Sequence, residues 1–300
     1  MSYSRWLLIV LSLIVATAVV IVGLSYSMDV FGVFRDARGR NLSVHVNERT
    51  AKYLLNENYV PQNFDGLLIG SSVSANWNTD AIDNAHVYNE SIDGGNATEE
   101  RLLVEQALPK GHFKFALCLI SPFITRSHIL NEGGMGKPSH REALGSINIL
   151  REEWAALLDM SGLEKPAFFP NGSKRLDTPK SAHPRFPAAA FNIDRESLND
   201  YKSLISELRT RGVRIIFVSP PMAESLYVDN RRFLDEYIKQ SGLIANQDAF
   251  IDFNSDSYSS FRSHASNFDD GIHLSEAAAQ ELSSYLSTEI RRALGDGAAK

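Results

Sequence analysis

Two short segments of the sequence place side chains that could carry out acyl transfer. In DGLLIGSSVSANW, residues 65–77, an apolar run ends at Gly70 and is followed by Ser71 and Ser72. In FDDGIHLSEAAA, residues 268–279, Asp270 and His273 lie three positions apart. At that spacing a carboxylate can accept the Nδ1–H of the imidazole, which leaves Nε2 to take a proton from a serine hydroxyl. Ser72, Asp270 and His273 are therefore the predicted catalytic residues, although each segment alone also fits an ordinary turn.

A third segment could supply main-chain donors to a negatively charged oxygen. In VYNESIDGGNATEERLL, residues 87–103, a short apolar run is followed by Gly94 and Gly95, and a helical pattern begins at Ala97. A turn of this kind exposes backbone N–H groups at the edge of a sheet. The segment predicts an oxyanion hole that includes Gly94, and a plain turn between strand and helix remains the alternative.

The elements around these segments alternate between short apolar runs and helical patterns, which is typical of a parallel sheet flanked by helices. The predicted strands are Gly66–Gly70, His86–Tyr88, Phe113–Ile120, Val213–Ser219 and Ala249–Phe253. The predicted helices cover 97–108, 144–160, 195–211, 222–241 and 274–294. The fold class is therefore α/β, with a three-layer, flavodoxin-like parallel sheet. Because ligands bind at the carboxyl edge of such sheets, the serine after the first strand is well placed.

The domain organisation begins with a membrane anchor. Residues 6–24 carry no charged side chain and would span about 29 Å as a helix, close to the thickness of a bilayer core. We expect an uncleaved anchor over 1–26, with a cleaved signal sequence as the alternative. A connecting segment, 27–63, then leads to one domain over 64–295, with an insertion at 121–190 rich in Gly, Pro and Ser. Large domains that follow such a span translocate largely regardless of charge, so we expect a single-pass protein with its domain outside the cytoplasm.

Composition excludes several other classes of protein. The net charge is −6 and the basic residues are scattered, so nucleic acid is not an expected partner. The single cysteine, Cys118, excludes an intramolecular disulfide and a thiolate metal cluster. His128, His140 and His183 lie in the insertion at spacings that match no metal motif. We therefore expect neither a metal nor an organic cofactor.

Together the three segments resemble the SGNH (GDSL-like) hydrolase family, over roughly residues 65–290. The family's first block ends in Gly-Asp-Ser, its second contains an Asn-x-x-x-x-Gly turn, and its last is Asp-x-x-His. The resemblance implies that Ser72 is the nucleophile, that Asp270 and His273 are the acid and the base, and that the amides of Ser72 and Gly94 form the oxyanion hole. The DGIH motif with the helix after it is the most specific part of the match.

The sequence departs from this family at two positions. Ser71 replaces the Asp of Gly-Asp-Ser, a change that is common among the membrane-anchored cell-envelope members of the family. Where the family has Gly-x-Asn-Asp after its third strand, this chain has Ser121-Pro122-Phe123, so the side-chain amide donor of the oxyanion hole is missing. Removing one such donor typically costs about 100 to 1,000-fold in rate. Asn76, Asn89 and Ser121 are the candidate substitutes.

The anchor, the Gly-Ser-Ser variant and the long insertion make the chain similar to envelope-anchored family members that add or remove acyl esters on surface polysaccharides. That resemblance implies an acylated saccharide or small ester substrate, a bacterial inner-membrane location facing the periplasm, and a membrane-bound acyltransferase as a partner. The missing amide supports an alternative, a catalytically silent scaffold that binds a glycan or a membrane partner. A domain of the same shape with no inherited site is a third hypothesis, but the sequence has no Gly-rich phosphate loop.

Overall fold

The structure is a computed structural model that describes residues 3–83, 85–130, 142–175 and 188–295. Its five strands are β1 Gly66–Ile69, β2 Val87–Asn89, β3 Phe115–Leu119, β4 Arg214–Ser219 and β5 Ala249–Asp252. Its α-helices are α1 Tyr3–Met28, α2 Glu48–Asn63, α3 Ser72–Ala75, α4 Ala97–Ala107, α5 Pro122–Thr125, α6 Ile147–Met160, α7 Arg195–Thr210, α8 Glu224–Ser241, α9 Ser259–Ser263 and α10 Glu276–Leu294. The predicted strands and helices are all present, with ends that differ by up to three residues.

The sheet is fully parallel and has the strand order β2-β1-β3-β4-β5. Every residue of β1, β2 and β3 is buried, which explains why β1 and β3 are continuous apolar runs rather than alternating ones. The right-handed crossover rule places α4, α7 and α8 on one face of the sheet and the oppositely directed β1–β2 connection on the other, and α10 contacts that connection at Thr79–Ala81. The predicted α/β fold, a parallel sheet between two helical layers, is confirmed.

The segment that the sequence suggested as a connection, 27–63, contains a helix that packs into the domain. The side chain of Asn47 caps α2 by accepting the Thr50 N–H at 3.1 Å, and the helix contacts α4. Ten of its sixteen residues are buried, and Lys52 and Asn56 are among them. These polar side chains weaken the apolar pattern of the buried face, which is why the segment resembled a solvated linker.

One helix among the described residues, α1, is long and apolar enough to cross a membrane, and none of its most apolar stretch is buried. Asp29 follows it in a left-handed conformation with φ of 44°. The Asp29 carboxylate accepts the N–H groups of Val33 at 2.8 Å and Arg35 at 3.1 Å, and it pairs with Arg40 at 3.1 Å. The end of α1 is thereby attached to the domain.

The insertion predicted over 121–190 is described only in part. Its described portions contain α5, α6 and the segment 161–175, which reaches back to the sheet. The main-chain oxygen of Asn171 accepts the Asn89 N–H at 2.7 Å, and the Lys174 N–H donates to the main-chain oxygen of Ala75. The segment 161–175 therefore runs beside β2 and α3. Residues 131–141 and 176–187, and with them His140 and His183, lie outside the described residues.

Candidate active site

The turn after β1 carries Ser72 to the carboxyl edge of the sheet. An added Cβ at Gly70 would lie 2.1 Å from the Ser74 Oγ and 2.8 Å from the Ser91 Oγ, so a larger residue would displace these two hydroxyl groups. Ser71 is extended, with φ of −128°, and Ser72 begins the short helix α3. The turn leaves the Ser72 side chain partly exposed at the edge where ligands bind in parallel sheets, while Ser71 is buried.

The loop before α10 holds Asp270 and His273 against each other. The Asp270 Oδ1 accepts the N–H groups of Ile272 at 3.1 Å and of His273 at 2.9 Å. Its Oδ2 lies 2.7 Å from the His273 Nδ1. Gly271 has φ of 92°, a left-handed conformation that permits this tight turn. One carboxylate thus sets both the shape of the loop and the orientation of the imidazole.

The structure brings Ser72 and His273 together although they are 201 residues apart in the sequence. The His273 Nε2 lies 3.1 Å from the Ser72 Oγ, within hydrogen-bond distance. Because the carboxylate of Asp270 accepts from Nδ1–H, Nε2 is the nitrogen with a free lone pair, and it can accept the hydroxyl proton. Partial burial raises the pKa of Asp270, but the hydrogen bonds from His273 and Ile272 outweigh burial, so that pKa lies below its usual value. The carboxylate is therefore ionised near neutral pH.

The loop that carries Gly94 runs beside the serine. Ser71 forms an isolated parallel bridge with Ile92, which places the start of this loop next to the Ser71-Ser72 turn. Gly94 has φ of 61°, and the Gly95 N–H is donated to the Ile92 oxygen at 3.1 Å. As the first residue of α3, Ser72 has an N–H without a partner inside that helix. The predicted pair of main-chain donors thus lies on two adjacent turns.

The loop that carries Gly94 is supported on its buried side by a polar network that the sequence analysis did not predict. The fully buried Lys52 Nζ donates to the Asn89 oxygen at 2.9 Å and to the Ser91 oxygen at 2.7 Å. Burial lowers the pKa of Lys52 and raises that of the neighbouring Glu90 to about 7. The Glu48 carboxylate accepts the Asp93 N–H at 3.2 Å. The periodic apolar residues of α2 are the sequence signal that could have located this support.

The three candidate substitutes for the missing amide all have other partners. The Asn76 Nδ2 donates to the Leu274 oxygen at 2.6 Å, which ties α3 to the loop of His273. The Asn89 Nδ2 donates to the oxygen of Ser74 at 2.8 Å, inside the core. The Ser121 Oγ accepts the Phe123 N–H at 3.4 Å at the start of α5, and Ser121 is buried. The two asparagines thus hold the turn of Ser72 and the loop of His273 in place.

An open cavity of about 540 Å³ adjoins the segments that carry Ser72 and His273. It is lined by Asn76, Asn78, Phe169, Ser173, Lys174, Arg175, Glu276, Ala277 and Gln280. The Arg175 guanidinium stacks on the Phe169 ring at 4.9 Å, and Lys174 pairs with Asp93. The lining therefore combines side-chain amides, two cations and an aromatic face.

His128 and Cys118 lie away from this chemistry. His128 lies 3.0 Å from Asp194 and 3.2 Å from Glu196, in an exposed cluster. Within the described ranges no three His, Cys, Asp or Glu side chains form a group that could hold a metal ion. Cys118 is buried in β3, and burial raises its pKa to about 12, so its thiolate is not available near neutral pH.

Comparison with known proteins gives similarity in structure but not in sequence. No family model and no curated protein matches the sequence. Among solved structures, the chain is similar to a GDSL-like lipase from Bacteroides thetaiotaomicron, with 8% identity, 76% of this chain and 86% of that chain covered, and a TM-score of 0.38. It is also similar to a catalytic mutant of an acetylxylan esterase from Geobacillus stearothermophilus, with 15% identity and a TM-score of 0.42. That match covers 77% of this chain and 94% of the esterase chain.

Proposed function

We propose that this chain is a membrane-anchored serine ester hydrolase or O-acyltransferase of the SGNH type. Ser72 is the nucleophile, His273 the general base and Asp270 the carboxylate that orients the imidazole. The observation that carries the proposal is the continuous pair of contacts, 2.7 Å from Asp270 to His273 and 3.1 Å from His273 to Ser72. A serine needs such a base because its hydroxyl is a weak nucleophile at neutral pH.

The reaction follows from this geometry in two halves. The Ser72 Oγ attacks the ester carbonyl carbon while the His273 Nε2 takes the hydroxyl proton, and Asp270 stabilises the resulting imidazolium. The tetrahedral intermediate collapses, the ester C–O bond breaks, and His273 returns the proton to the departing alcohol. Water or a sugar hydroxyl then attacks the acyl-enzyme, again with His273 as base. Water gives hydrolysis, and a sugar hydroxyl gives acyl transfer.

In this proposal the N–H groups of Ser72 and Gly94 stabilise the oxyanion. Asn76 and Asn89 are engaged in main-chain hydrogen bonds, so neither amide stands in for the missing side-chain donor. A hole with one donor fewer slows an enzyme by about 100 to 1,000-fold. The missing side-chain donor also favours the second candidate, a catalytically silent scaffold that binds a glycan or a membrane partner.

The substrate we propose is an acyl ester, most simply an acetyl ester, of a cell-surface polysaccharide. Polar side chains in the adjoining cavity suit the hydroxyl groups of sugars: Gln280, whose Oε1 accepts from Asn78 at 2.8 Å, can donate its amide NH₂, and Arg175, stacked on Phe169, can donate its guanidinium N–H groups. The anchor α1 would hold the domain at the membrane, on the extracytoplasmic side, where a membrane-bound acyltransferase could deliver or receive acyl groups. Digestion of the domain by protease added to intact spheroplasts tests this orientation, and full protection would contradict it.

Release of acetate from acetylated polysaccharide tests the enzymatic proposal against the scaffold. Ser72→Ala should abolish release by the full-length protein. Ser71→Ala is the matched control, because the buried Ser71 hydroxyl has no hydrogen-bond partner and its loss should leave the rate within about threefold. Release that survives Ser72→Ala would reject the assignment, and a folded wild type that releases no acetate from any ester tested would favour the scaffold.

A further inference from the structure

The helix α6 exposes an unusually apolar face for a surface helix. Ile147 and Trp154 are 71% and 64% exposed, and Leu157 is exposed beside them. The other exposed side chains on this face of α6 are Asn148 and Arg151, so it carries one charge. Burial of these apolar surfaces would stabilise a complex by about 25 cal/mol for each Å² removed from water. Contiguous apolar patches of this kind mark a surface that something covers.

The opposite face of α6 is firmly attached to the domain. Ile149 and Ala155 are buried in it. The Glu152 carboxylate accepts the N–H groups of His45 at 2.9 Å and of Val46 at 2.8 Å, just before α2 begins. The exposed apolar face is therefore held in a fixed orientation.

The position of α6 relative to α1 indicates what covers this face. Both α6 and the turn before it contact α1, and an added Cβ at Gly145 would lie 3.0 Å from the Ile21 Cγ2. Ile21 lies three residues before Leu24, where the apolar stretch ends, and three residues are about 4.5 Å at the helical rise. Amphipathic helices that lie on membranes bury their apolar face by about 5–10 Å. The start of α6 is therefore at the depth of the membrane interface.

We propose that α6 lies on the bilayer surface beside the anchor, with Ile147 and Trp154 inserted among the lipids. Tryptophan is the residue most typical of this interface, and Arg151 can extend its guanidinium to the headgroups. The domain then has two attachments to the membrane, α1 and α6, which restrict its rotation about the anchor. This inference rests on the membrane anchoring in the proposed function, not on the ester chemistry.

Spin labels on single cysteines test the proposal in the full-length protein, reconstituted in vesicles of phosphatidylcholine and phosphatidylglycerol. Cys118 is buried and needs no replacement. Labels at Ile147→Cys and Trp154→Cys report on α6, and Val15→Cys reports on the anchor. The matched control is Val228→Cys, on α8, where the native side chain is 65% exposed. The measurement is the collision rate with oxygen, which concentrates in lipid, divided by that with a water-soluble nickel chelate.

The proposal predicts that this ratio at Ile147→Cys and Trp154→Cys exceeds that at Val228→Cys by at least about threefold, because the α6 labels lie in the acyl region. Ratios at α6 equal to that of the control would overturn it. Low collision rates with both reagents would also overturn it, since they indicate a protein partner or a second copy of the chain. A ratio at Val15→Cys as low as that at Val228→Cys would show that α1 is in water and would refute the anchoring itself. That result would leave the proposed ester hydrolysis standing.

Discussion

Replacing Asp270 by Asn isolates the contribution of the carboxylate that orients His273. The Asn Oδ1 can still accept the two main-chain N–H groups at 2.9 and 3.1 Å, so the loop should keep its shape. The new amide NH₂, however, would face the His273 Nδ1 in place of the Oδ2 that lies 2.7 Å away. Because an amide nitrogen cannot accept a proton, the imidazole is driven to carry its proton on Nε2, where it can no longer act as a base for Ser72.

We expect Asp270→Asn to lower kcat/KM by about 1,000 to 10,000-fold, in line with the loss of the correct tautomer in other serine hydrolases. That range corresponds to about 4 to 5.5 kcal/mol of transition-state stabilisation. The assay is hydrolysis of p-nitrophenyl acetate by the full-length protein in detergent, with circular dichroism to confirm folding.

The chain contains a matched control for this variant. Asp194 also lies 3.0 Å from a histidine Nδ1, that of His128, but the Nε2 of His128 faces Glu196 rather than a serine. We expect Asp194→Asn to leave kcat/KM within about threefold, as for substitutions away from a reaction centre. A loss below about tenfold in Asp270→Asn, or an equal loss in both variants, would refute the reasoning.

Three further predictions concern the support of the site. Gly70→Ala should destabilise the protein by about 1–3 kcal/mol in urea unfolding, because the added methyl meets the Ser74 Oγ, and an unchanged midpoint would contradict this. Lys52→Met leaves buried carbonyl oxygens unpaired and should lower the free energy of unfolding by about 3–5 kcal/mol. The control Lys114→Met, at an exposed ion pair, should lower it by less than about 1 kcal/mol. Burial raises the pKa of Glu90 to about 7, above its unfolded value, so wild-type stability should fall as pH rises from about 4.5 to 7. Glu90→Gln should flatten that fall, and parallel curves for the two proteins would contradict the prediction.

The sequence located the sheet because its central strands β1 and β3, and β4 after Arg214, are buried on both faces and appear as apolar runs. It also predicted that Ser72 and His273 approach each other, since Ser72 follows β1 and His273 precedes α10 at the same edge of the sheet. The helix α2 was missed because its buried face includes Lys52 and Asn56, whose side chains resemble those of a solvated segment. Only the tertiary structure shows that these polar groups have partners on the neighbouring loop.

The hydrogen-bond partners of the candidate oxyanion donors could not be predicted either. The Asn76 amide donates to the main chain of Leu274, 198 residues further along the chain. The Asn89 amide lies in the core and donates to the main chain of Ser74. Spacing in the sequence indicates which residues lie at one edge of the sheet, but the direction of each amide depends on the packing of turns that are distant in sequence.

Covalent labelling by a fluorophosphonate, located by mass spectrometry, tests the central claim most directly. The reagent forms a stable bond with a serine Oγ only when a base removes the hydroxyl proton. The account predicts an adduct on the wild-type peptide that contains Ser72, the same adduct in Ser71→Ala, a strongly reduced yield in His273→Ala, and none in Ser72→Ala. A folded wild type that remains unlabelled, or labelling that persists in Ser72→Ala, would contradict it.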